Sequence, residues 1–139
     1  MASIFDITGS AMTAQMLRLN TTASNLANAD AVSSTEAGAY RARQPVFSTI
    51  LQSMTGDAAT DSAAGGVQVE RISQSDLPVP KRYEPGNPMA DDKGYVYGSN
   101  VNPIEEMANM ISASRSYQSA SEVFNTTKTL MLRTLQLGG

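Results

Sequence analysis

The sequence has no cysteine, no histidine and no tryptophan, and only 17% of its 139 residues are charged. Each absence closes off some chemistry. Without Cys there are no disulfides, thiolate metal ligands or thiol nucleophiles. Without His, the side chain that titrates near neutral pH unperturbed is missing, and with it most acid–base catalysis and zinc binding. A soluble domain averages about 25% charged residues. Here 10 basic and 13 acidic side chains leave a net charge of −3. The basic residues are scattered, so the concentrated cationic face that nucleic acid requires is not formed. No apolar run approaches the ~20 residues of a membrane span, which predicts no direct membrane insertion. The opening stretch carries Asp6 and no basic side chain before Arg18. A cleavable secretion signal has a basic region followed by an unbroken apolar one. That leaves a cytosolic protein, or one exported by a route that reads no cleavable peptide.

What the chain has instead is small and uncharged polar residues: 18 Ala, 16 Ser, 12 Thr and 8 Asn, beside 8 Met. Proline is absent before position 45, and the N-terminal stretch carries a helical stripe. Phe5, Gly9, Met12, Met16, Leu19, Ala23 and Leu26 follow one another at alternating steps of three and four, the spacing of a helix laid along another helix. The predicted helix runs from about Ile4 to Ala29. Its opposite face offers Ser10, Thr13, Asn20, Thr21, Ser24 and Asn25. That face is either a solvated one or one for close approach and hydrogen bonding to a neighbour.

A second helix is predicted from Pro103 to Leu137. Asn102 can cap it, Pro103 suits its first position, Glu105 sits where a capping carboxylate belongs, and Gly138-Gly139 stops it. Its stripe is Met110, Ala113, Tyr117, Ala120, Phe124, Thr127 and Met131. Toward its end Leu130, Met131, Leu132, Leu135 and Leu137 point to most sides. A helix apolar all round must be buried all round, and one antiparallel partner cannot achieve that. The remaining cover must come from outside the chain, since the middle of the sequence has no third helical candidate.

That middle, residues 31–100, holds five of the six prolines. Val67, Val69 and Ile72 suggest one short strand and Tyr95-Val96-Tyr97 another. The stretch near 54–66 has a flexible-loop composition. The expected fold is α+β and mainly α: long terminal helices (1–30 and 101–139) packed as an antiparallel coiled-coil-like pair, with a small β-rich insertion (31–100). Carboxylate pairs occur at Asp91-Asp92 and Glu105-Glu106. Adjacent side chains point apart, so neither pair makes a two-carboxylate catalytic dyad. No phosphate-binding glycine motif or calcium loop is present. The reading is a binding or assembly protein with no catalytic, metal or cofactor site. Heterologous contacts between identical copies, of the kind that give rings or helical arrays, are expected.

Asn25-Leu26-Ala27-Asn28-Ala29-Asp30 followed by Tyr40-Arg41 resembles the N-terminal signature of bacterial flagellar rod and hook proteins. Tyr83-Glu84-Pro85-Gly86-Asn87-Pro88-Met89-Ala90-Asp91, then Gly94-Tyr95, is narrower and resembles the FlgC family of basal-body rod proteins. Ser112 to Gln118, Asn125-Thr126, Lys128 and Leu135 to Gly138 continue that resemblance. It implies a structural subunit of the proximal rod, assembling helically around the export channel and transmitting motor torque, exported without a cleavable signal. The implied partners are copies of itself, the rod proteins FlgB, FlgF, FliE and FlgG, and the flagellar export apparatus. It also implies that Phe5, Met12, Met16, Leu19, Ala23 and Leu26 pair with Met110, Ala113, Tyr117, Ala120, Phe124 and Met131 inside a subunit. Asn25, Asn28, Arg115, Asn125, Lys128, Leu130, Leu132, Leu135 and Leu137 would then meet neighbouring subunits. The rivals are another secreted helical-hairpin assembly protein and a carboxylate-based cell-wall hydrolase, the latter needing Glu84 and Asp91 across a cleft.

Overall fold

The computed structural model describes residues 4–51 and 65–138, without the side chains of residues 50 and 51. Of the loop expected near 54–66, only Gly65 and Gly66 fall among the described residues, as the first positions of a strand. The elements run α1 (Ile4–Ala27), β1 (Val32–Ser33), β2 (Arg43–Leu51), β3 (Gly65–Gln74), β4 (Lys81–Tyr83), β5 (Tyr95–Gly98) and α2 (Pro103–Leu137). The fold is α+β, with two helices and small antiparallel sheets.

α1 is 24 residues long and rich in Ala, Met and Leu, which favour helix. It ends two residues earlier than its composition predicts. The Asn28 N–H bonds to the Ser24 and Asn25 carbonyls together, and the Ala29 N–H bonds to Leu26, so the last turn tightens and closes. α2 runs 35 residues, about 52 Å at 1.5 Å per residue. Its cap is the expected one: the Asn102 side chain accepts hydrogen bonds from the Ile104 and Glu105 N–H groups, and Pro103 opens the helix.

Two contacts fix how the helices lie. The Phe5 and Phe124 rings meet edge-on with centroids 5.0 Å apart, and Arg18 donates to Asn109 at 3.1 Å. Going forward from Phe5 to Arg18 means going backward from Phe124 to Asn109, so the pair is antiparallel. On α2, Met110, Tyr117, Ala120, Phe124 and Thr127 are half-buried and Ala113 is buried. Met131 does not share this cover and is 55% exposed. Phe5, in the first turn of α1, already stands against Phe124, and Met131 lies two turns further on.

α1 departs more from its apolar stripe. Its buried residues are Thr8, Ala14, Thr21, Thr22 and Asn25, while Met16 is 43% exposed and Ala23 is exposed. The cause is a second layer. β2 and β3 form a two-stranded antiparallel ribbon that packs on α1, and the Val67 N–H bonds to the Ser10 hydroxyl at 3.2 Å. Small polar residues let the ribbon approach closely, and the buried Thr8 and Thr21 hydroxyls are satisfied by the Ile4 and Leu17 carbonyls. The second sheet has the order β1-β5-β4, all antiparallel, with Val96 fully buried on its central strand. The buried apolar side chains are Ala14, Ala39, Ala42, Val79, Val96, Val101 and Ala113. Among the described residues none is larger than valine.

Candidate assembly interface

The polar residues of the sequence motifs hold the two halves of the subunit together. Asn25, fully buried, accepts from the Arg43 N–H at 2.9 Å and donates to the Arg43 carbonyl at 2.7 Å. Its carboxamide thus pairs with one residue's backbone as a strand neighbour would. The Tyr40 hydroxyl donates to the same Asn25 oxygen at 3.0 Å. The resemblance implied a contact of Asn25 with a neighbouring subunit; within the chain its side chain has no exposed surface. Its side chain is used up inside the chain, locking α1 to the entry of β2. Asn28 donates to the Ser24 carbonyl and finishes the helix. Asn100 repeats the device: it accepts from the Ala42 N–H at 2.7 Å and donates to the Leu77 carbonyl at 2.9 Å. Arg41 also donates to Leu77.

The Tyr83–Tyr95 loop is closed by its own side chains. Asp91 accepts from the N–H groups of Lys93 and Tyr95 at 2.9 and 2.8 Å. Those bonds, the Tyr95 one first, lower its carboxyl below the ordinary value of 3.8, helped by the charges of Lys81 and Lys93 and opposed by partial burial. Asn87 donates to the Glu84 carboxylate and accepts from the Met89 N–H, and Arg82 pairs with Glu84 at 3.3 Å. Gly94 turns the chain with φ +81°, where a Cβ would come within 2.9 Å of the Tyr83 ring and 3.1 Å of Pro85. The Tyr83 and Tyr95 rings meet edge-on at 5.1 Å, with the Lys81 ammonium 4.2 Å from the Tyr95 ring centre. Gly86 and Pro88 stay at the exposed rim. Glu84 and Asp91 are both committed to hydrogen bonds that shape the loop.

A cleft of about 420 Å³ does lie between the helices and β2, lined by Arg18, Arg43, Glu105, Glu106 and Asn109 among others. Glu106 is only 4% exposed. Among the described residues no group of acids, His or Cys has the makings of a metal site, and no helix is long and apolar enough to cross a membrane.

The apolar surface is elsewhere. Toward the end of α2, Leu130, Met131, Leu132, Leu135 and Leu137 are all more than half exposed among the described residues, Leu137 at 89%. Arg115, Asn125, Lys128 and Arg133 are exposed on the same helix. A groove of about 590 Å³ opens along the seam of α1 and α2, floored by Gly9, Met12, Met16, Leu17, Tyr117 and Phe124. Part of the sequence stripe thus lines open space, while Leu19 and Leu26 are half-buried. A third surface, not singled out from the sequence, is Ile104, Met107 and Ile111 at the start of α2, with Ile104 80% exposed. Their spacing of three and four residues is the signal that could have found them.

Two family descriptions cover both ends of the chain. Residues 5–33 match the flagella basal body rod protein family. Residues 92–137 match the flagellar basal body rod FlgEFG protein C-terminal family. Among curated proteins, the flagellar basal-body rod protein FlgC of Escherichia coli O6:H1 (strain CFT073) is 53% identical, over 98% of this chain and 96% of its own length. The chain belongs to the FlgC family. The FlgC proteins of Salmonella typhimurium (strain LT2), 52% identical over 98% and 96% of the two chains, and Bacillus subtilis (strain 168), 33% identical over 96% and 95%, are similar throughout. The first family match includes α1 and Asn25, and the second includes β5 and α2 with its exposed end.

Proposed function

We propose that this protein is a structural subunit of the bacterial flagellar basal-body rod, working through contacts and not through chemistry. The carrying observation is the 53% identity to an FlgC protein over nearly the whole of both chains. The exposed apolar end of α2 supports it physically, because a leucine-rich helix end in water calls for neighbours.

In this reading the terminal segments, 1–30 and 101–139, form a coiled-coil-like unit that packs with its counterparts around the export channel. The insertion, 31–100, lies outside. The subunit joins copies of itself and the rod proteins FlgB, FlgF, FliE and FlgG in the periplasmic space, after passing through the flagellar export apparatus. Leu130, Leu132, Leu135 and Leu137, with Arg115, Asn125 and Lys128, meet neighbouring subunits, and the rod so built carries torque. A cell deleted for the gene should be non-motile and regain swimming with the intact copy, and the tagged protein should sediment with purified basal bodies. Recovery only in the soluble fraction, with swimming unimpaired by the deletion, would overturn this function.

A further inference from the structure

We propose that the cleft between α1, α2 and β2 is a binding site for a small zwitterion, an α-amino acid with an apolar side chain. Its volume of about 420 Å³ falls within the range of small-ligand pockets, roughly 300 to 1,000 Å³. Its charges are balanced but not spent. Arg18 and Arg43 share the cleft with Glu105 and Glu106, yet neither arginine pairs with either glutamate. The ion pairs among the described residues are Arg71–Glu70 and Arg82–Glu84. Arg18 is instead held on Asn109 at 3.1 Å, and the Arg43 guanidinium lies 5.7 Å from the centre of the Tyr40 ring. Deeper in, Thr22 and Glu106 are each 4% exposed, and neither side chain enters a hydrogen bond among the described residues. Neither is sealed off, since the sealed polar atom without a partner is Gln15 Oε1, so their polar ends open onto the cleft they line. A carboxylate taken out of water is costly without a counter-charge, and Glu106 has none. The ligand follows from the lining. Its ammonium meets Glu106, with Glu105 at the exposed rim, and its carboxylate meets Arg43 and Arg18. Pro45 and Phe47 supply an apolar wall for its side chain. A lone cation would face two guanidinium groups and a lone anion two carboxylates, so only a group carrying both signs is matched. The site needs a single folded chain and stands apart from the rod reading.

Titrating the purified full chain with L-leucine while following its amide resonances tests the site. Saturating shifts in the millimolar range are expected at Thr22, Gln44 and Asn109. Leucinamide, which lacks the carboxylate, and N-acetylleucine, which lacks the ammonium, should each bind about tenfold more weakly, as expected when one charge-assisted contact is lost. Glu106→Gln keeps the side-chain volume and removes the charge, so leucine affinity should fall by a similar factor. Glu122→Gln, at an exposed position of α2 outside the cleft, should bind leucine as the parent does. Shifts that grow linearly without saturating would overturn the site. So would equal affinity for all three ligands, or equal leucine affinity in the parent and Glu106→Gln. If Glu106→Gln does not fold, the three ligands on the parent chain still decide.

Discussion

A fully buried asparagine in a helix is costly unless every polar atom is used, and Asn25 uses them on Tyr40 and on both backbone groups of Arg43. Asn25→Ala strands those groups in a dry junction. We expect a loss of about 2 kcal/mol in urea unfolding, with α2 helicity little changed; a shift under about 0.5 kcal/mol would contradict the junction. Asp91 acts differently. Its carboxyl is lowered by the N–H bonds of Tyr95 and Lys93, so the folded loop prefers the charged form. That preference stabilises the loop above the ordinary carboxylate value of 3.8 and is lost as pH falls through the lowered folded value. Protection of the Tyr95 amide, taken relative to its intrinsic exchange rate at each pH, should therefore fall in acid in the parent, while in Asp91→Asn it should be weaker already and nearly independent of this titration. Equal acid sensitivity in both proteins would show that another group controls the loop.

Among the elements, α2 was the most legible from sequence. Asn102 and Pro103 write its start in side-chain chemistry, and its stripe faces one partner. α1 was legible as a helix but not in its burial, because it serves two layers and the apolar stripe marks neither alone. Thr21 and Asn25 lie on the face that the sequence left open between solvated and closely packed, and both are buried in α1, on which the ribbon packs. β2 was not anticipated: Arg43-Gln44-Pro45 looks like loop, and Pro45 is tolerated because a two-stranded ribbon leaves each strand one free edge. The ribbon's register also shifts between Val46 and Phe47, which breaks simple alternation. The Asn25 junction was invisible for another reason: its partner is backbone, which carries no sequence signature. For the projecting end of α2 the expectation is sharp. Deleting Leu130 to Gly139 removes exposed side chains and no described tertiary contact, so the tyrosine signal of the β1-β5-β4 sheet should persist while rod incorporation is lost. Loss of that sheet's signal would mean the end supports the fold itself.

As a whole the molecule invests little in its own interior. With no fully buried side chain larger than Val96 and Asn25 among the described residues, the burial energy available to a monomer is small, since a buried valine contributes about 1.5 kcal/mol. We expect the dilute monomer to unfold with less than about 5 kcal/mol, the low edge for natural domains, and to gain helical circular dichroism on assembly as its ends find cover. A monomer stable by 10 kcal/mol or more would argue for a self-sufficient fold. The antiparallel helix pair also dictates an order of events. Its contacts join residues as far apart as Phe5 and Phe124, so α1 has no helical partner until nearly the entire polypeptide has been delivered. A chain released N-terminus first, from a ribosome or through a narrow conduit, stays topologically open until its last third arrives. Late closure means that the final helix completes the subunit only when nearly the whole chain is present.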